Sequence, residues 1–413
     1  MLSLVVLVAG TRLITELVDG DVFGEARLAV GVAALFGAVV VQPFSQFAMR
    51  GYHDATAAGS VLEFAKFARR GNAVAAATSG LVAALLWVGY GAWTREVNWL
   101  LAAAVGVYVF GEARWSLERS LLVTRDRQVA ASAVEVAMQV LLMGAAVAGV
   151  VLTGNHSVGL VGGQALALLA AGAWIVRATR EAPYGTFADP PAPDYVGSKW
   201  RADSVRFVAP LTMVSIARWV VNLGDRYLLD HIHGPRVVGH YAAVYGLCSA
   251  PLMASSGIIA RLLYSPWFER EARGGRDDDF FARMLASAAT ITGIALLVTW
   301  VFGDFAASVA LAAEYRAQAH DFMIWIVAGY GLLVISAPFE MRAYARKTTW
   351  VLGAGWAAAA LANLVLNLAW IPVWGPGGAA RATLASFAVY LAILWSGTSL
   401  RPRVVPIPAR HRA

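Results

Sequence analysis

Arg218-Trp219-Val220-Val221-Asn222-Leu223-Gly224-Asp225-Arg226 places two arginines, an asparagine and an aspartate inside a segment, 203–229, that is otherwise largely apolar. Charges within a lipid-spanning helix are costly, so they usually face a protein interior or a water-filled path where something polar is handled. The rest of the chain establishes that this segment is such a helix. Of the 413 residues, 59% are hydrophobic and only 14% are charged, whereas a soluble domain carries about 25%. Mean hydropathy is +0.61. Apolar runs of about 18 residues or more recur throughout, for example 26–49, 73–93 and 351–371.

The expected fold class is therefore an all-α integral membrane protein with about twelve transmembrane helices. The spans lie near 1–18, 26–49, 73–93, 98–122, 129–152, 157–177, 203–229, 237–262, 282–303, 319–340, 349–371 and 376–397. The N-terminus has no basic region or small-residue cleavage site, so 1–17 reads as a short first span rather than a removed signal. The single cysteine, Cys248, excludes an internal disulfide framework and a multi-thiolate metal site, and it reads as a small buried hydrophobe.

A pI near 9.7 does not point to nucleic acid, because no basic face interleaved with aromatics appears. The cations instead gather in alternate loops. Arg50, Lys66, Arg69 and Arg70 form one group, and Arg125 and Arg127 the next. Arg177, Arg180, Lys199 and Arg201 follow, then Arg270, Arg273, Arg276 and Arg283, then Arg342, Arg346 and Lys347. Opposite loops carry little beyond Arg95, Arg236 and Arg316. The positive-inside rule then puts both termini in the cytoplasm, as an even number of spans requires.

Pro183, Pro190, Pro191 and Pro193 mark a polar linker close to the midpoint. The expected organisation is an N-terminal six-helix bundle over 1–180, a proline-rich cytoplasmic linker over 181–200, a C-terminal six-helix bundle over 201–397 and a basic cytoplasmic tail over 398–413. A sparse internal repeat agrees: Gly10-Thr11-Arg12-Leu13 parallels Gly224-Asp225-Arg226-Tyr227, and Gly20, Ala29 and Val30 parallel Gly234, Ala243 and Val244. Both copies enter the membrane in the same sense, as in a parallel repeat.

Ser215, Arg218, Asn222 and Asp225 are spaced to line one face of a regular helix, with Pro210 expected to bend it from the preceding turns. The bland alternative is that Arg218 and Asp225 pair with neighbours and Asp225-Arg226 caps the span. Gln42, Gln46 and Arg50 form a second polar stripe, with Pro43 and Ser45 beside it. Arg50 either lines a path or snorkels to the interface. Arg114 and Glu118 are expected to neutralise one another at i, i+4. Glu135 with Gln139, and Asn363 with Asn367, are further polar pairs, the asparagines suited to interhelical hydrogen bonds. Arginine keeps its charge in any environment and offers a planar fork to phosphate oxygens. A path carrying Arg12, Arg50, Arg218 and Arg226 favours an anion, and Gln42, Gln46, Ser215 and Asn222 suit sugar hydroxyls.

Enzyme readings find little support. There is no P-loop lysine motif, and Asp277-Asp278-Asp279 reads as a solvated acidic run rather than a glycosyltransferase metal site. His231, His233 and His240 impose no fixed metal geometry. No cofactor and no metal is expected.

The segments Val41-Gln42-Pro43-Phe44-Ser45-Gln46-Phe47-Ala48-Met49-Arg50-Gly51-Tyr52, Asn222-Leu223-Gly224-Asp225-Arg226-Tyr227-Leu228-Leu229 and Val238-Gly239-His240-Tyr241-Ala242-Ala243 carry a resemblance. Together with Phe23-Gly24-Glu25-Ala26, they resemble the polysaccharide transporters and oligosaccharide flippases of the multidrug/oligosaccharidyl-lipid/polysaccharide (MOP) superfamily. The resemblance implies two six-helix bundles around a central cavity, the MATE-like MOP fold. It implies a flippase of a polyprenyl-diphosphate-linked oligosaccharide, a surface or exopolysaccharide precursor, working by alternating access in the bacterial inner membrane. It also implies Arg12, Arg50, Arg218 and Arg226 as diphosphate ligands, with Asp225 as gate or coupling residue. Expected partners are the lipid-linked oligosaccharide, the bilayer, and a polysaccharide polymerase or glycosyltransferase. The first helix is shorter than usual for the family, and no coupling-ion site matches its pattern. The alternatives are an ion-coupled multidrug exporter, whose cavity should hold acidic residues, and a membrane glycan polymerase or ligase, which typically needs a large external loop.

Overall fold

The computed structural model describes residues 2–94, 97–124, 128–181, 193–272, 278–316, 319–346 and 348–399. Expectations for Arg95, Arg125, Arg127, Arg273, Arg276, Asp277, Lys347 and the tail from 400 onward lie outside these residues. Among the described residues every regular element is helical, since in lipid a helix satisfies its backbone groups without partners.

Helix α1 (Leu2–Leu17) has 16 residues; at ~1.5 Å per residue it reaches about 24 Å, short of a ~30 Å hydrocarbon core. Helices α2 (Gly20–Phe36) and α3 (Gln42–Ala57) form one rod joined by a π turn, Gly37–Val41. Then come α4 (Val61–Thr94), α5 (Trp99–Thr124), α6 (Gln128–Thr153) and α7 (Ser157–Glu181). The α–π–α form recurs in α8 (Pro193–Trp219) and α9 (Asp225–His233), joined by the π turn Val220–Gly224. Helices α10 (Pro235–Ala272), α11 (Asp278–Ala310), α12 (Ala319–Ala345) and α13 (Trp350–Ser399) complete the chain. Helix α13 consists of two limbs that meet at Gly375, φ 52°, a backbone region open to glycine and strained for other residues. Pro372 and Pro376 flank the break and remove backbone donors around it. These limbs are the expected spans 349–371 and 376–397. Among the described residues, 10 helices are long and apolar enough to cross a membrane when the two limbs count as one and α1 is set aside as too short.

Contacts divide the chain into two units, Met1–Trp219 with His233–His240, and Val220–Ile232 with Tyr241–Ala413. Of the expected linker 181–200, residues 182–192 lie outside the described residues and Pro193–Trp200 already belong to α8. The span expected over 203–229 is thus shared, with its α8 part in the first unit and its π turn and α9 in the second.

In the first unit, α5 packs against α4, α7 and α3. Small residues permit the approach: a Cβ on Gly80 would lie 2.6 Å from the carbonyl oxygen of Gly106. The interior holds polar pairs as well. Arg69 donates from Nε and Nη2 to the two carboxylate oxygens of Glu118 at 2.7 and 2.8 Å, a partner that the in-helix spacing of Arg114 and Glu118 does not point to. Arg114 Nη1 donates to the Arg69 carbonyl at 3.1 Å. Pro43 explains the first π turn: it has no N–H for the Val39 carbonyl, and its ring crowds the preceding turn. Thr212 Oγ1 of α8 supplies the missing donor to that carbonyl at 3.0 Å.

In the second unit, α12 packs on α11 and α13. The Tyr390 ring lies 4.3 Å from that of Trp356 across the two limbs of α13, and its hydroxyl donates to Glu340 at 2.7 Å. Asn363 and Asn367 are buried, but Asn367 Nδ2 donates to Asn363 Oδ1 at 2.9 Å within α13. The expected interhelical bonds are replaced by an i, i+4 bond within the helix, because the two amides stack one turn apart.

Candidate functional site

Helix α3 separates its residues cleanly. Pro43, Ser45, Phe47 and Ala48 are buried, and Ser45 meets Ser116 of α5 at 3.3 Å. Gln42, Gln46 and Arg50 share the opposite face and are all exposed. The stripe ends in a pocket of about 430 Å³ lined by Arg50, Asp54, Trp200, Asp203, Arg206 and Phe207, among others. Arg50 sits 5.9 Å from the centre of the Phe207 ring. The pocket therefore gathers two guanidinium groups and two carboxylates from the C-terminal half of α3 and the middle of α8. Neither Arg12 nor Arg218 lines it.

Arg12 forms an ion pair with Glu16, one turn along α1. Arg218 is exposed in the last turn of α8. These two and Arg50 belong to the first unit, whereas Asn222, Asp225 and Arg226 belong to the second. The single face expected for Ser215, Arg218, Asn222 and Asp225 is not formed. Ser215 is half-buried, Arg218 exposed and Asp225 fully buried. The cause is the π turn Val220–Gly224, whose extra residue per turn rotates everything beyond it.

Within the second unit Asn222 and Asp225 each have a tyrosine partner. Tyr241 OH donates to Asp225 Oδ2 at 2.7 Å. Tyr330 OH donates to Asn222 Oδ1 at 2.7 Å and lies 2.8 Å from Tyr245 OH. Each phenol has one proton; with Tyr330's committed to Asn222, Tyr245 donates to Tyr330. The guanidinium of Arg226 sits 5.2 Å from the centre of the Tyr245 ring, a cation–π arrangement. Asp225 is thus a buried acceptor tied to α10, and Arg226 leans on the aromatic part of the same network.

Sequence reasoning passed over Tyr245, Tyr330, Asp54, Asp203 and Arg206 as site residues. Tyr241 and Tyr245 are spaced i, i+4 in α10, the one signal available for the pair. Asp203 and Arg206 stand at the start of an apolar span and read only as flanking charges. Among the described residues, no group of three or more His, Cys, Asp or Glu side chains comes together to hold a metal ion. Cys248 is buried in α10.

Over residues 78–270 the chain matches the family described as polysaccharide biosynthesis protein. That match takes in just under half of the 413 residues. The matched stretch runs from α4 into α10 and includes the π turn Val220–Gly224 and Asp225-Arg226. No curated protein sequence matches the chain significantly. Solved structures resemble it over nearly its full length. The lipid II flippase MurJ in an inward closed conformation is similar with TM-score 0.61 and 12% identity, covering 97% of this chain and 86% of that one. An inward-facing MATE-family multidrug resistance transporter of the MOP superfamily is similar with TM-score 0.68 and 12% identity, covering 97% and 94%. A MOP transporter from Pyrococcus furiosus, described as having a binding pocket of reversed polarity, is similar with TM-score 0.57 and 12% identity, covering 96% and 94%. At such identities the likeness establishes the fold: a multi-pass, all-α membrane protein built like these MOP transporters.

Proposed function

We propose that the protein is a flippase for a polyprenyl-diphosphate-linked oligosaccharide, a surface or exopolysaccharide precursor, in a bacterial inner membrane with both termini cytoplasmic. The observation that supports this best is the exposed Gln42–Gln46–Arg50 stripe leading into a pocket that holds Arg206 as well. Two guanidinium forks suit the oxygens of a diphosphate. Asp54 and Asp203 are acceptors for sugar hydroxyls, and the glutamines offer both donors and acceptors along the stripe. A volume of about 430 Å³ falls in the range of small-molecule sites.

In this reading the diphosphate is received at Arg50 and Arg206, the glycan follows the polar face of α3, and the lipid tail stays in the bilayer. Arg12, Arg218 and Arg226 are proposed to serve the passing diphosphate, with Ser215 and Asn222 serving the glycan. The switch between inward and outward access is proposed to work at the π turn Val220–Gly224, where one helical rod passes from the first unit to the second. Asp225 is proposed as the gating residue because its bond to Tyr241 ties α9 to α10 beside that turn. A polymerase or glycosyltransferase is the proposed partner class.

The test is translocation in vesicles. Purified protein reconstituted with a labelled polyprenyl-diphosphate oligosaccharide should carry the glycan to the leaflet where an added glycosidase can reach it. Failure to move the glycan, together with uptake of cationic drugs, would overturn the proposal in favour of a multidrug exporter.

A further inference from the structure

A larger pocket of about 800 Å³ in the first unit takes no part in the reading above. Helix α4 presents Glu63, Lys66, Arg70 and Val74 to it, a spacing that keeps them on one face. The apolar run of α4 begins near residue 73. Lys66 and Arg70 therefore stand one to two turns outside the hydrocarbon, whereas Val74 and Ala75 stand just inside it. Phe44, Phe67 and Trp200 complete the wall, with the Trp200 and Phe67 rings 5.5 Å apart. The pocket thus runs from headgroup depth to acyl-chain depth.

Its charges are uncommitted. Arg69, between them in sequence, is taken by Glu118. Lys66 and Arg70 are exposed and make no ion pair or hydrogen bond among the described residues. Glu63 lines the same pocket and is half-buried, and its Oε2 is buried without a hydrogen-bond partner. Two cations ask for a phosphate, and the carboxylate asks for an N–H donor. A quaternary choline headgroup has no such donor and a glycerol headgroup carries no positive charge; a primary ammonium supplies both.

We propose that this pocket binds a glycerophospholipid bearing a primary amine, of the phosphatidylethanolamine type, with its phosphate at Lys66 and Arg70, its ammonium at Glu63 and one acyl chain along Val74 and Ala75. The site shares the Trp200 wall with the cargo pocket but none of its charged groups, and it stands whether or not the proposed function does.

Native mass spectrometry of the full chain in detergent, with added phosphatidylethanolamine, phosphatidylglycerol, phosphatidylcholine or undecaprenyl phosphate, reads it directly. Phosphatidylethanolamine should be retained at about tenfold lower concentration than phosphatidylcholine, the ratio expected from one charge-assisted hydrogen bond. The Lys66→Gln/Arg70→Gln variant should lose that retention, and Glu63→Gln should abolish the preference over phosphatidylglycerol. Ala75→Phe, which obstructs the apolar half and keeps every charge, should weaken retention too and serves if the double variant does not fold. Wild-type retention by both the double variant and Ala75→Phe would overturn the site. Equal retention of phosphatidylethanolamine and phosphatidylglycerol by the unaltered protein would overturn the ammonium assignment. Dependence on Lys66 and Arg70 for undecaprenyl phosphate alone would hand the pocket to the cargo.

Discussion

Gly24 of α2 lies so close to Pro235 at the start of α10 that a Cβ atom on Gly24 would overlap the Pro235 carbonyl oxygen. One on Gly239 would overlap the carbonyl of Gly20 in the same way. Gly20 and Gly24 on one helix, with Pro235 and Gly239 on the other, make a contact of two backbones, the closeness that small residues allow in lipid. Gly24→Leu should separate these helix ends and cost ~1–3 kcal/mol or more by overpacking. A titration of unfolding in mixed micelles measures it, and Gly246→Leu is the control, since a Cβ there meets open space.

The Arg69–Glu118 pair is buried, with side chains 12% and 1% exposed. Removing one partner leaves the other charge unpaired, which costs ~3–5 kcal/mol. Glu118→Gln should therefore destabilise the protein far more than Glu16→Gln, whose pair with Arg12 is half-exposed. The same unfolding titration separates the two.

Thr212 and Pro43 form a third test. Thr212→Val removes the donor to the Val39 carbonyl and should cost ~0.5–1.5 kcal/mol. With Pro43→Ala already present, residue 43 has its own N–H for that carbonyl, so the threonine should matter less. A double-mutant cycle measures the coupling directly.

Tyr330→Phe removes the donor to Asn222 Oδ1 and the acceptor for Tyr245 OH. Stranding the buried Tyr245 hydroxyl and taking one bond from half-buried Asn222 should cost ~1–3 kcal/mol. Asn222→Leu added to Tyr330→Phe should recover part of that loss, because replacing both partners avoids stranding either one.

Hydropathy located the spans well, because the demand for about 20 apolar residues leaves a plain trace in the chain. It missed how far the helices continue. Helix α4 starts at Val61, well before the apolar run at 73, because Glu63, Lys66, Arg69 and Arg70 sustain a helix without being apolar. The polar stripe of α3 was legible as spacing alone: a regular helix keeps Gln42, Gln46 and Arg50 on one face. The same reasoning failed for Ser215 to Asp225 because a π turn breaks the period, and nothing comparable to Pro43 announces it. Lost with it were Tyr245 and Tyr330, which read as ordinary core aromatics until α10 and α12 are brought together.

The most direct measurement is the rate of glycan translocation in vesicles by the wild-type protein and by Arg50→Gln, Arg206→Gln and the double variant. Each single variant should slow it by roughly tenfold or more, the loss of one charge-assisted hydrogen bond to the diphosphate, and the double variant should halt it, while Asp304→Asn, at an exposed pair with His320, leaves the rate unchanged. A wild-type rate in the folded double variant would contradict a role for these arginines in carrying the diphosphate.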